Sequence, residues 1–142
     1  MISAQLFIDW DGCPGTWSAQ VNQKIRILAT GKATYPDASI VCGRIEGDPA
    51  DPVGATITNP TLLVEVLSPS TEQDDRGGKW QHYQLIPSLQ EYVLVSQTEP
   101  RVERYRRLAS GSWEYTDSTA GVVLLSTGAV IDLGALYDGL PD

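Results

Sequence analysis

The stretch TLLVEVLSPST, residues 61–71, decides how the chain folds: it opens as an apolar run broken once, at Glu65. A strand that is apolar at both parities is buried on both faces, so Glu65 shares a face with Leu63 and Leu67 while Leu62, Val64 and Val66 fill the other. An ionised carboxylate left there alone costs several kcal/mol, so Glu65 needs a cation, a metal ion or a donor, or must take up a proton. Ser70-Thr71-Glu72-Gln73 then reads as a capping box with Ser70 as N-cap, and Pro87 stops the helix predicted over 71–86. Lys79, Tyr83 and Ile86 fall on one stripe of that helix, which lets Lys79 look back at the sheet.

Upstream, 21–28 alternates, with Ile25 and Ile27 inward against Lys24 and Arg26, and Thr30-Gly31-Lys32 turns the chain into a second strand over 34–42. Pro36 is tolerated near the start of that strand because it removes only one donor from the ladder, and Asp37 follows at once. The long segment 43–61, rich in Gly, Pro, Asp and Thr, is expected on the surface, where such loops tend to be functional. Residues 1–20 show no clear period and carry an Asp-Gly pair and a Cys-Pro-Gly break, so nothing beyond a short strand is expected there.

Downstream, 91–95 and 101–107 read as strands joined by a turn. The second places Val102, Arg104 and Arg106 on one face and Arg101, Glu103, Tyr105 and Arg107 on the other. Short strands at 113–116, 122–125 and 130–133 and a helical turn at 133–137 complete the order, a mixed α/β (α+β) arrangement in which a helix packs across a sheet.

With 142 residues, 42% of them hydrophobic, the chain fits a single domain over 1–142. A net charge of −8 excludes holding nucleic acid by bulk electrostatics, so any such contact must be local. The two cysteines, Cys13 and Cys42, read as separate thiols, and the chain has neither a signal-like start nor an apolar run long enough to span a bilayer. These features fit a soluble protein of the reducing cytoplasm with no membrane partner. A single His, His82, and no CxxC or HExxH spacing give no basis for a zinc site, so a metal would be held by oxygen.

Asp37 and Glu65 each sit in a strand beside apolar residues, and adjacent strands would bring them within reach of one ion. Mg2+ suits one or two carboxylates with retained waters and a substrate phosphate. Lys79 is the best candidate for an ammonium that orients a water or steadies developing charge. Each residue has a simpler competing role. Glu65 would be satisfied by Lys79 or an arginine alone, Asp37 would bond nearby backbone after Pro36, and Lys79 would be an ordinary solvated helix lysine. Tyr83 reads as a core residue and His82 as a surface one. Arg101, Arg104, Arg106 and Arg107, the only basic cluster, could touch phosphates or pair across strands with Glu103 and Glu114.

Four strings carry a resemblance: YPD at 35–37, PTLLVEVLSPST at 60–71, DRGGKWQHY at 75–83 and IPSLQEYVLV at 86–95. They are similar to the Uma-two family of restriction-endonuclease-like proteins, within the PD-(D/E)XK nuclease superfamily, over about residues 12–140. The resemblance implies a restriction-endonuclease-like core with extra C-terminal strands. It implies Mg2+ (or Mn2+) held by Asp37, Glu65 and the backbone carbonyl of Val66. Lys79 would be the superfamily's lysine, displaced from strand to helix because the position two after Glu65 is Leu67. The implied activity is endonucleolytic hydrolysis of DNA phosphodiesters by a metal-activated water, with Asp37, Glu65 and Lys79 as the catalytic set and Arg101, Arg104, Arg106 and Arg107 as nucleic-acid contacts. Members usually begin with a further N-terminal region, which this chain starts too late to contain. The competing expectation is therefore an inactive nuclease fold serving as an oligomerising or binding module. An incompletely covered sheet also predicts a homodimer or higher homo-oligomer.

Overall fold

The strand that carries Glu65 is the third of six in the main sheet of the computed structural model, which describes residues 13, 15–71, 73–125 and 130–138. In chain order the strands are β1 (Trp17–Val21), β2 (Lys24–Arg26), β3 (Ala33–Thr34), β4 (Ala38–Cys42), β5 (Thr56–Ile57) and β6 (Leu62–Leu67). After helix α1 (Lys79–Tyr83) come β7 (Glu91–Ser96), β8 (Val102–Arg107), β9 (Trp113–Ser118), β10 (Val122–Leu124), β11 (Val130–Asp132) and helix α2 (Leu133–Leu136). The main sheet runs β1-β4-β6-β7-β8-β9, and its one parallel pair, β6 with β7, is the pair that α1 connects. Such a parallel pair needs a crossover, which is why a helix follows β6. The result is the mixed sheet with a helix across it that the sequence predicts.

All six residues of β6 and of β7 are buried, as an apolar run at both parities requires. On one face Leu62, Val64 and Val66 pack with Val93, Val95 and Val102 beneath the β10–β11 hairpin and α2. On the other, Leu63 and Leu67 pack with Tyr92 and Leu94 beneath Tyr83, Ile86 and Leu89 and the small sheet β3-β2-β5, which contributes Ile25 and Ile57. Glu65 belongs to this second face.

Three expectations change in detail. The expected hairpin of 21–28 with 34–42 is cut on both sides and shared between two sheets. Asn22, at φ 52°, ends β1 before β2 begins, and Pro36 separates β3 from β4. Thus β1 pairs β4 in the main sheet while β2 pairs β3 outside it, although the turn at Gly31 closes as predicted, with the Gly31 N–H donating to Ile27 O at 2.7 Å.

The helix begins later than Ser70. Ser68 and Thr71 close a turn instead, the Thr71 N–H donating to Ser68 O at 3.1 Å, and a π-helical turn at Asp74–Gly78 feeds α1. Gln73 caps it without a side-chain bond, so the expected capping box is not made.

The two cysteines are joined as a disulfide rather than standing as separate thiols. The β1–β4 register, with Trp17 opposite Cys42, returns the preceding chain to the side of Cys42, and the two Cα atoms lie 5.4 Å apart. Among the described residues no helix is long and apolar enough to cross a membrane.

Candidate active site

β4 pairs with β6 only from Ile40–Leu62 to Ala38–Val64, because Pro36 takes the chain out of the ladder. Beyond Val64 the β6 edge would therefore present unpaired backbone groups inside the fold. Asp37 supplies the missing partner, its Oδ2 accepting the Val66 N–H at 2.7 Å. In return the Asp37 N–H donates to Glu65 Oε1 at 3.2 Å, so each residue holds the other in place. The Asp37 carbonyl accepts the Asn22 N–H at 3.3 Å, tying in the β1–β2 bend. A strand residue's N–H and C=O leave on the same edge, so the Val66 carbonyl faces the edge that Asp37 occupies.

The third group arrives from the helix. Lys79 Nζ lies 2.5 Å from Glu65 Oε2, with the Glu65 side chain 3% exposed and that of Lys79 19%. The π-helical turn sets this aim, since one extra residue per turn rotates everything that follows. At Gly78 the absence of a Cβ leaves room for the Asp74 carboxylate, whose Oδ1 would lie 2.4 Å from one. Tyr83 is buried one turn after Lys79 as the spacing predicts, its hydroxyl donating to Thr34 Oγ1 at 2.9 Å, whereas α1 ends at Tyr83, short of the predicted 86, and Ile86 is buried from the turn that follows. Asp37, Glu65 and Lys79, separated in sequence, thus form one continuous polar cluster on the inner face of the sheet. His82 bonds the Thr30 hydroxyl at 2.9 Å and stands apart from it.

The four arginines are engaged within the chain and do not form one surface. Arg101 pairs with Asp117 at 3.0 Å and Arg106 with Glu114 at 3.0 Å. Arg104 lies 3.6 Å from Glu91 and donates to Leu124 O. Arg107 donates to the carbonyls of Leu89, Gln84 and Ile86 and stacks over Trp113 at 4.3 Å. Glu103, buried beside Leu94, accepts from Arg101 and from the Tyr115 hydroxyl. Partial burial of that hydroxyl and the adjacent Glu103 carboxylate push Tyr115 up to about 12.

Sequence reasoning passed over an open cleft of about 620 Å³ beside Asp37, lined by the β1–β2 bend, Tyr35 and the loop that precedes β5. Two signals pointed to it: the length and composition of 43–61, and the outward parity of Lys24 and Arg26.

The family model for Uma2, described as "Putative restriction endonuclease", matches residues 4–134. The chain belongs to the Uma2 family. It is 41% identical over 120 residues to the uncharacterized protein slr1290 of Synechocystis sp., covering 82% of this chain and 60% of that protein. A second Synechocystis protein, the uncharacterized sll1609, is 37% identical over 83 residues, 58% of this chain and 46% of the relative. The chain thus spans less than two thirds of the length of both relatives. Among solved structures it is similar in fold to a "putative nuclease belonging to DUF820" from Anabaena variabilis. That likeness has a TM-score of 0.64 at 20% identity and covers 85% of this chain and 68% of the other. The Uma2 chain therefore shares the fold of that protein, and the expected restriction-endonuclease-like family and mixed-sheet architecture are borne out.

Proposed function

We propose that the Asp37–Glu65–Lys79 cluster is the catalytic centre of a divalent-metal-dependent nuclease that hydrolyses DNA phosphodiesters. The observation that carries this reading is the reciprocal bonding of Asp37 and Glu65 at an open strand edge, with an ammonium at 2.5 Å. Two carboxylates and the Val66 carbonyl are hard oxygen donors, the set that Mg2+ or Mn2+ takes, with water and substrate phosphate filling the remaining positions. A bound ion supplies acidification of a water and charge withdrawal from the phosphoryl group.

The chain's own contributions are positional and electrostatic. β4 and β6 fix the carboxylates, since each is bonded to the backbone of the other's strand or entry. Burial of Glu65 lowers the local dielectric, which strengthens what its charge does. Lys79 stands where an ammonium stabilises charge developing on the phosphate or orients the attacking water. Plasmid DNA incubated with the protein in Mn2+ should be nicked or cut, and Glu65→Gln should abolish cleavage by at least a hundredfold. Cleavage that survives this change would refute the assignment.

A second reading is favoured by the same ion pair. Lys79 and the Asp37 N–H already meet both oxygens of Glu65, as a purely structural lock would. On that reading the protein is an inactive nuclease fold serving as a binding module, and folded protein neither binds millimolar Mn2+ nor cuts DNA.

A further inference from the structure

We infer that the cleft beside Asp37 is a nucleotide subsite, in which Tyr35 stacks a base and Lys24 meets a phosphate adjoining the one that is cut. The inference rests on the nuclease reading and adds to it which residues hold the substrate. Continuity comes first. Tyr35 lines the cleft and stands two residues before Asp37, and Asn22, also in the lining, donates its N–H to the Asp37 carbonyl. A chain whose phosphate sits at the carboxylates would pass next into this space. At about 620 Å³ the cleft falls within the range of small-molecule sites, roughly 300–1,000 Å³.

The chemistry of the lining then selects the ligand. Lys24 and Tyr35 line the same cleft, each next to the last pair of the β2–β3 ladder, Ile25 opposite Thr34. A ring and an ammonium lining one cleft suit a base and its own phosphate. Tyr35 is 62% exposed, and the cleft's other apolar walls, Val21 and Val53, are 78% and 82% exposed. Exposed apolar surface flanking a polar floor is what a flat heterocycle covers.

The oxygens of the cleft's two acids are engaged in building the loop, and Arg26 offsets the charge of Asp48, while Asp51 stays an anion, so a phosphate is met at the Lys24 ammonium and not on the loop itself. Asp48 accepts from Arg26 Nε at 3.2 Å and from the Ala50 N–H at 2.9 Å. Asp51 accepts from the Thr56 hydroxyl at 2.7 Å and from the N–H groups of Val53 and Ala55. The Thr56 bond above all, with these backbone bonds and the nearby Lys24 charge, holds the Asp51 carboxyl below the usual carboxylate range. Lys24, by contrast, is committed to no ion pair among the described residues.

The test is fluorescence anisotropy with short fluorescein-labelled oligothymidylate and oligouridylate in EDTA, so that no cleavage intervenes. Tyr35→Ala should weaken binding about tenfold, whereas Tyr35→Phe, which keeps the ring, should stay within twofold of the parent. Lys24→Ala should weaken binding and reduce the salt dependence by roughly one phosphate's worth. The better bound of the two oligonucleotides identifies the sugar that the cleft takes, and either supports the subsite if the Tyr35 dependence is present. Binding by Tyr35→Ala within twofold of the parent, or no oligonucleotide binding by the parent, overturns it. Failure of the nuclease reading registers separately: oligonucleotide is bound with the Tyr35 dependence, yet Mn2+ produces no cleavage.

Discussion

Asp37 has two separable jobs, and substitutions pull them apart. Its carboxylate caps the Val66 N–H, which no strand pairs, and it contributes charge beside Glu65. Asp37→Asn keeps an acceptor in place and should leave stability to urea within about 1 kcal/mol of the parent. Asp37→Ala leaves the donor of buried Val66 unmet and should cost about 1–3 kcal/mol. On the proposed metal site, both should lose Mn2+ binding. Equal stabilities for the two variants would mean that the Val66 bond contributes nothing.

At this scale Glu65 was legible because one charge in an apolar strand has few explanations, and Lys79 because helix spacing put its stem on the stripe of Tyr83 and Ile86. The Asp37–Val66 bond was not legible. It exists because β4 stops pairing with β6 after Ala38, and pairing length is a tertiary property.

Among the elements, β8 and β9 show how local charge is absorbed. Arg101 and Arg106 reach Asp117 and Glu114 on β9, and the Tyr115 hydroxyl donates to the buried Glu103 of β8. Parity gave the two faces of β8 correctly, yet it could not choose between phosphate and carboxylate as the arginines' partners, since that depends on what β9 presents. Tyr115, raised to about 12, stabilises the fold fully below the ordinary tyrosine range near 10, and that contribution is lost as pH rises from about 10 through 12. Alkaline titration followed by tyrosinate absorbance should show late steps, Tyr137 being raised as well, of which Tyr115→Phe removes one; a profile unchanged by that substitution would contradict the assignment. The strand boundaries near Asn22 and Pro36 were missed for a related reason. Alternation is clear from Lys24 to Ile27 and extends readily back to Val21, and a residue at positive φ, Asn22, divides the stretch between two sheets.

Across the whole molecule, one sheet carries an apolar layer on each face, and the polar cluster lies within the layer that α1 and the small sheet cover. The Cys13–Cys42 disulfide joins residues 29 positions apart, at the other end of β4 from Asp37. Reducing it should lower stability to urea by about 3–4 kcal/mol, read from unfolding curves with and without reductant. Identical curves would mean that the bond is not formed in solution. Composition suggested free thiols because nothing in the spacing of two cysteines reveals that β1 brings them together.

The central claim, that Asp37 and Glu65 form one metal site, is tested most directly by calorimetric titration of Mn2+ into the parent protein, Asp37→Asn and Glu65→Gln, each verified as folded. The account predicts a single binding event in the parent that is absent from both variants. No binding by the parent, or binding unchanged in either variant, would contradict it.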